Sequence, residues 1–194
     1  MAEDTLNGNK RVAVKIMNED IGETEKSMLY NEIHSMQNLN HANIVKYLEC
    51  GQKEYIKPSG KRTVSFIALE LAEAGELFDF ISNTGRFSEK VTRHYFKQLC
   101  GAIKACHDSG IYHRDLKAEN IFMDNKYELK VGDFGFSTTL MKADQKGLFK
   151  TLLGTPGYMA PEIVLQQKYV AAEVDLFAAG IVLFIMFTGH PPFG

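Results

Sequence analysis

The run Tyr112-His113-Arg114-Asp115-Leu116-Lys117-Ala118-Glu119-Asn120 is followed, after a short segment, by Asp133-Phe134-Gly135. Together these stretches supply two carboxylates, a lysine and a side-chain amide in a fixed order. Such groups suit transfer of a phosphoryl group from a metal-bound nucleotide, a reaction to which a protein contributes position and charge more than covalent chemistry. That reaction needs a base for the attacking hydroxyl, oxygen ligands for a hard cation, and a cation for the phosphates. Either tripeptide alone is a weak signal. Both in this order and at this spacing are a strong one.

Elements must hold these residues in place, and the periodicity names them. Residues 11–17 alternate as a strand, with Val12, Val14 and Ile16 on one face and Ala13, Lys15 and Met17 on the other. A flat ring can slide under Ala13 on that second face while a phosphate meets Lys15. Residues 23–38 predict an amphipathic helix with Leu29, Ile33 and Met36 along its stripe, and Glu25, Met28, Glu32 and Met36 on an adjoining face. Strands are expected over 45–50 and 63–72, separated by the turn Lys57-Pro58-Ser59-Gly60. From Gly75 the periods become helical. Ser88 caps a helix reaching about His107, with Tyr95, Leu99, Ala102 and Cys106 on its stripe, and Ser109-Gly110 ends it. Short strands over 121–123 and 129–131 carry the two motifs at their edges. A boundary near 72–75 divides a strand-rich part, residues 1–72, from a helical one, residues 73–194.

The chain has 194 residues, 45% of them hydrophobic, enough for a real core. Its 22 Lys+Arg against 24 Asp+Glu predict no bulk attraction to nucleic acid or to an anionic membrane. The uncharged stretch 176–189 falls short of the roughly eighteen to twenty residues that span a bilayer and reads as a buried core helix. Cys50, Cys100 and Cys106 make no CxxC pair, and the first residues lack a signal-peptide pattern, so a reducing, cytoplasmic setting is expected. Cys100 and Cys106 lie in a helical apolar pattern and read as small buried hydrophobes.

Five motifs occur in order: Val12-Ala13-Val14-Lys15, Glu32 in the next helix, the Asp115 run, Asp133-Phe134-Gly135, and Ala160-Pro161-Glu162. On these the chain resembles a eukaryotic protein kinase along nearly its whole length. The resemblance implies a two-lobed α+β fold, with residues 1–72 as part of the small lobe and 73–194 as part of the large one. It implies ATP and Mg²⁺ as cofactors. Lys15 would grip the α- and β-phosphates and pair with Glu32, which fits the family's register better than Glu25. Asp115 would be the base, Lys117 would neutralise the moving phosphoryl group, and Asn120 and Asp133 would hold magnesium. Leu69, Glu70 and Ala72 resemble the hinge that binds adenine, between Ala13 above and Phe122 below. Glu76 would meet the ribose or a basic substrate residue, and Glu119 would stand with Asn120 at the nucleotide. Glu76 and Glu119 together imply a protein substrate carrying a basic residue upstream of its target. Arg114 beside Asp115 implies control by phosphorylation, with Thr151 as the site and an upstream kinase as the activator. Tyr47, Met36, Phe134 and His113 resemble the apolar column that aligns the lobes, with Asp175 anchoring its base. Gly154-Thr155-Pro156-Gly157-Tyr158 and Lys117 resemble the serine/threonine branch, most of all the calmodulin-dependent and AMP-activated group.

The pattern also departs from the family. No GxGxxG strand pair precedes Lys15, Gly8 standing alone in what looks like the tail of a strand, and the sequence given stops at Pro191-Pro192-Phe193-Gly194. A partial domain, truncated at both ends, is therefore expected, with an apolar helix near its end short of cover. Phe177 replaces the usual tryptophan and Ala118 the common proline. The alternative is a catalytically inactive kinase fold acting as a binding module.

Overall fold

The computed structural model describes residues 2–4, 10–18, 22–57 and 60–193. The alternating segment around Lys15 forms β2 (Lys10–Asn18), which pairs antiparallel with β1 (Ala2–Asp4) and with β4 (Gly60–Glu70). β3 (Tyr47–Lys57) completes a sheet of order β1-β2-β4-β3. The register sets Ala13 opposite Leu69 and Lys15 opposite Ile67, so the small residue and the lysine lie beside the strand that runs to Glu70. β3 is longer than the sequence suggests because its outer half is exposed, leaving no apolar alternation to read. There Lys53 lies over the Phe66 ring at 5.7 Å, and pairing with β4 alone extends the strand. Gly8, Pro58 and Ser59 fall outside the described residues.

Helix α1 (Glu23–Gln37) buries Glu32, Ser35 and Met36, with Leu39 just beyond it, whereas Leu29 and Ile33 are only half buried. The spacing is helical as expected, but the inward face is turned from the apolar stripe and includes two polar side chains. Each needs a partner, since an unsatisfied polar group in the interior is costly.

Beyond Glu70 the chain forms β5 (Gly75–Glu76), α2 (Leu77–Thr84) and α3 (Glu89–Asp108). The Ser88 hydroxyl accepts the Val91 N–H at 3.4 Å and caps α3. β6 (Ile111–Tyr112), β7 (Ile121–Met123) and β8 (Leu129–Val131) follow, and β5, β7 and β8 make a second sheet. β9 (Thr138–Thr139) pairs with β6, and α4 (Pro161–Val164) and α5 (Ala171–Thr188) close the order. The result is a mixed α+β chain, strands first and helices after.

One core runs through the helical part, with Leu99, Ala102, Ile121, Leu129, Val182 and Met186 fully buried. Each large aliphatic side chain contributes about 1.5–3 kcal/mol by leaving water. α5 begins earlier than the stretch 176–189 suggests. At 18 residues and a mean hydropathy of 1.9 it is long and apolar enough to cross a membrane by length and composition. Half of it is nevertheless buried against protein, and Asp175 on its inner face is fully hydrogen-bonded, as a core helix requires. Leu176, Phe184 and Phe187 lie exposed on its other side. Cys106 is buried, and burial pushes its thiol up to about 12. Cys100 is exposed, against expectation, because it sits on the outer side of α3 between the inward positions Leu99 and Ala102.

Candidate active site

Two residues of the opening motifs have left-handed backbone without being glycine: Arg114 at φ 63 and Asp133 at φ 58. Such conformations persist only where the surroundings enforce them. For Arg114 the enforcing group is the Asp175 carboxylate, which accepts the His113 N–H at 2.9 Å and the Arg114 N–H at 2.7 Å, with His107 Nε2 at 2.9 Å. His113 ties the two motifs together. Its Nε2 donates to the Gly132 carbonyl at 3.0 Å and its Nδ1 accepts the Asp115 N–H at 3.3 Å, while its ring lies 4.8 Å from that of Phe134. Met36 and Phe134 are both fully buried and Tyr47 packs on the same core.

Around Asp115 the side chains interlock. Thr155 donates to Asp115 Oδ1 at 2.7 Å and accepts from Lys117 Nζ at 2.8 Å, and that ammonium lies 3.1 Å from Asp115 Oδ2. Asn120 Nδ2 donates to the Asp115 carbonyl at 2.9 Å and to its carboxylate at 3.1 Å, so the Asn120 amide oxygen is the atom turned away from Asp115. A 3₁₀ turn over Ala118–Asn120 produces this arrangement, burying Ala118 and Asn120 and sending Glu119 outward. Glu119 therefore faces Tyr158, whose hydroxyl its carboxylate accepts at 3.2 Å, and does not line the cavity beside Lys15, contrary to its expected place.

Lys15 Nζ donates to Glu32 Oε2 at 2.7 Å and lies 3.7 Å from Asp133 Oδ1. Glu32 is thus its helix partner; the Glu25 side chain falls outside the described residues. The Lys15 side chain is 48% exposed and that of Glu32 only 3%, so burial weighs unequally on the pair. Burial raises the Glu32 carboxyl above the ordinary glutamate value even with Lys15 opposing. For Lys15 burial acts to lower the ammonium pKa, and Glu32 and Asp133 more than offset it, so the net shift is upward. The two shifts have different consequences. A raised Glu32 means that, as pH falls, the folded chain takes up this proton before the unfolded chain does, so the protonation does not itself destabilise the fold. It removes the carboxylate that orients Lys15. The Lys15 contribution is full below the ordinary lysine value and is lost only as pH rises through its raised value. Expected is an acid limb in nucleotide binding above the ordinary glutamate range with no matching drop in melting temperature, and loss of that limb in Glu32→Gln. Nucleotide titrations and thermal unfolding over about pH 4 to 7 read this.

A cleft of ≈ 460 Å³ opens beside this pair. Ala13, Leu69, Glu70, Ala72, Glu76, Phe122 and Asp133, all expected there, line it together with Lys15 and Glu32. The Glu70 carboxylate turns elsewhere, to the Lys46 N–H at 3.1 Å and Lys130 Nζ at 2.8 Å, which leaves its main chain as the part facing the cleft. Val45, Gly132 and Asp79 also line the cavity and were not read from the sequence. Gly132 is small for a reason. A Cβ there would stand 3.0 Å from Phe122 Cε2 and 3.1 Å from Val45 Cγ2, driving apart the floor and a wall. Asp79 follows Glu76 by one helical step, the available signal that both acids stand at the same mouth.

Among the described residues the Arg114 side chain meets neutral groups: the Phe136 carbonyl at 3.0 Å, the Tyr169 hydroxyl at 3.4 Å and the Phe149 ring at 5.6 Å. Tyr169 and Phe149 exchange backbone hydrogen bonds of 2.9 Å, and the Tyr169 hydroxyl donates to the Thr151 carbonyl at 3.0 Å. No sequence pattern signals this Tyr169 link, because the residues meet only through the fold. Thr151 itself is exposed. An open hollow of ≈ 410 Å³ beside Arg114 is lined by Glu23, Thr24, Ser27 and Asn31 of α1 on one side and by Phe136 and Leu153 on the other.

The family described as Protein kinase domain matches residues 4–194. CBL-interacting protein kinase 32 of Oryza sativa subsp. japonica is 40% identical over 194 residues, covering 99% of this chain and 42% of the relative. CBL-interacting serine/threonine-protein kinase 9 of Arabidopsis thaliana is 38% identical over 194 residues, covering 99% of this chain and 41% of the relative. The chain thus spans about two fifths of the length of these curated relatives. Ordered motifs, a cleft with its lysine–glutamate pair, and a match over almost every residue agree: the chain belongs to the protein kinase domain family, among relatives of the serine/threonine kind.

Proposed function

We propose that this chain carries the catalytic centre of a serine/threonine protein kinase, which moves the γ-phosphoryl group of ATP to a protein hydroxyl. The observation that carries the reading is the joint geometry of two clusters: Asp115 interlocked with Lys117, Asn120 and Thr155, and Lys15 held between Glu32 and Asp133 at the cleft. In the reaction the substrate oxygen forms a bond to the γ-phosphorus as the bond to the β-bridging oxygen breaks. Asp115 receives the hydroxyl proton, and ADP leaves. Lys117 sits 3.1 Å from Asp115 and suits neutralising the group in transit. Lys15 would hold the non-transferring phosphates, while Ala13 and Phe122 would sandwich the base beside the main chain of Glu70 and Ala72.

Asn120 and Asp133 fit magnesium: an amide oxygen turned away from Asp115 and a half-exposed carboxylate are hard donors. Held by these two residues, magnesium would supply charge neutralisation at the phosphates. Glu76 and Asp79 at the cleft mouth favour a protein substrate with a basic residue upstream of its target. A phosphate-transfer assay on basic serine and threonine peptides, beside an Asp133→Asn control, tests the reading. Transfer no greater than the control overturns it, and nucleotide binding without transfer would favour the binding module.

Phosphorylation of Thr151 by an upstream kinase would give Arg114 an anion in place of neutral partners, a charge-assisted bond roughly twice as strong as a neutral one. The open hollow beside Arg114 gives such a group room, with Thr24, Ser27 and Asn31 on one side and the Glu23 carboxylate opposing an anion there. Thr151→Ala is expected to lose the activation gained on treatment with an upstream kinase, about tenfold or more. Equal activity of parent and variant after that treatment would contradict it.

A further inference from the structure

We propose that Ser35 and Ser137 form a buried hydroxyl relay that fixes the rotation of α1 against the Asp133-Phe134-Gly135 segment, making both serines positioning residues for Lys15 and Glu32. Ser35 is 2% exposed and Ser137 0%. Their oxygens lie 2.8 Å apart, and Ser137 Oγ also lies 2.6 Å from the Phe134 carbonyl. Each hydroxyl has one proton. Ser137 gives its proton to Phe134, so Ser35 must be the donor to Ser137. The direction of the relay is therefore fixed: from α1, through Ser137, to the carbonyl of the residue that follows Asp133.

The neighbouring apolar contacts cannot do this alone. Met36 and Phe134 are fully buried, but apolar packing is non-directional and tolerates rotation of a helix about the contact. A hydrogen bond is directional and falls away steeply with angle. Ser35 follows Glu32 by one helical step on the same inward face, so a rotation that withdraws Glu32 from Lys15 also withdraws Ser35 from Ser137. With both hydroxyls shut off from water, breaking the bond leaves a polar group unsatisfied, which is the expensive outcome. The relay thus links the lysine–glutamate pair to the backbone of the segment carrying Asp133.

The consequence for activity rests on the phosphoryl-transfer reading; the coupling itself does not. Ser35→Ala, Ser137→Ala and the double variant are compared with the parent by hydrogen exchange over residues 28–38 and 133–138, and by kcat/KM for ATP. Each single variant is expected to speed exchange in both segments together and to lower kcat/KM roughly tenfold. The double variant should be no worse than Ser137→Ala, since Ser35→Ala removes only the bond that Ser137→Ala already removes along with the one to Phe134. Additive losses, or faster exchange confined to the mutated element, would overturn the relay. If the parent transfers no phosphate, the functional reading falls and the exchange arm still decides the coupling. If one alanine variant does not fold, the other removes the same bond from the opposite side and gives the same two readings.

Discussion

Asp115→Asn is expected to lower kcat by about 10² to 10⁴ while leaving nucleotide affinity within about twofold, because in the proposed reaction it would remove the base and little else. The hydrogen bonds around Asp115 make this substitution a clean one. Lys117 Nζ and Asn120 Nδ2 both approach Oδ2 at 3.1 Å, so an asparagine must turn its oxygen to them and its NH₂ toward Thr155. The Thr155 hydroxyl, which now donates at 2.7 Å, can reverse and accept. The cluster survives with its hydrogen bonds largely intact and without a proton acceptor. Steady-state transfer and direct nucleotide titration measure the two quantities. A fall in affinity matching the fall in kcat would mean that Asp115 acts through the architecture of the site.

The second large effect is at Asp133. Asp133→Asn is expected to lower kcat/KM by about 10³ or more and to raise the magnesium concentration for half-maximal rate. Asparagine is the informative replacement because position 133 has φ 58, a region that asparagine enters readily, whereas alanine would add backbone strain to the loss of charge. The variant also removes one of the two carboxylates beside Lys15, which keeps Glu32 at 2.7 Å. Magnesium titrations of the rate in parent and variant separate loss of metal from displacement of Lys15. An unchanged magnesium dependence would assign Asp133 to the lysine alone.

Much of this was legible in the sequence because the chemistry sits in short runs. Residues 113–120 and 133–135 are contiguous, so their order and spacing could be read directly, and the strand alternation placed Ala13 and Lys15 on one face. What escaped depends on contacts between distant residues. The inward turn of α1 could not be read from its apolar stripe, since Glu32 and Ser35 are polar and are buried only because Lys15 and Ser137 meet them. Tyr169 is invisible for the same reason, as Arg114 and the Thr151 carbonyl reach it across the fold. Glu119 was misplaced because a 3₁₀ turn rotates successive side chains by about a third of a circle, sending it away from its neighbour Asn120. The outer half of the β3–β4 hairpin escaped because both its faces are wet.

The exposed row Leu176, Phe184 and Phe187 on α5, with Phe193 stacked on Phe177 at 6.4 Å, bears on the chain as a colloid. Exposed apolar side chains of this kind are what neighbouring copies grip when concentration rises, and a net charge of only −2 gives them little reason to stay apart. Salting-out anions such as sulfate strengthen that grip, and mild urea weakens it. The helix that organises the interior through Asp175 therefore also sets, on its other side, how concentrated a solution of this chain can become.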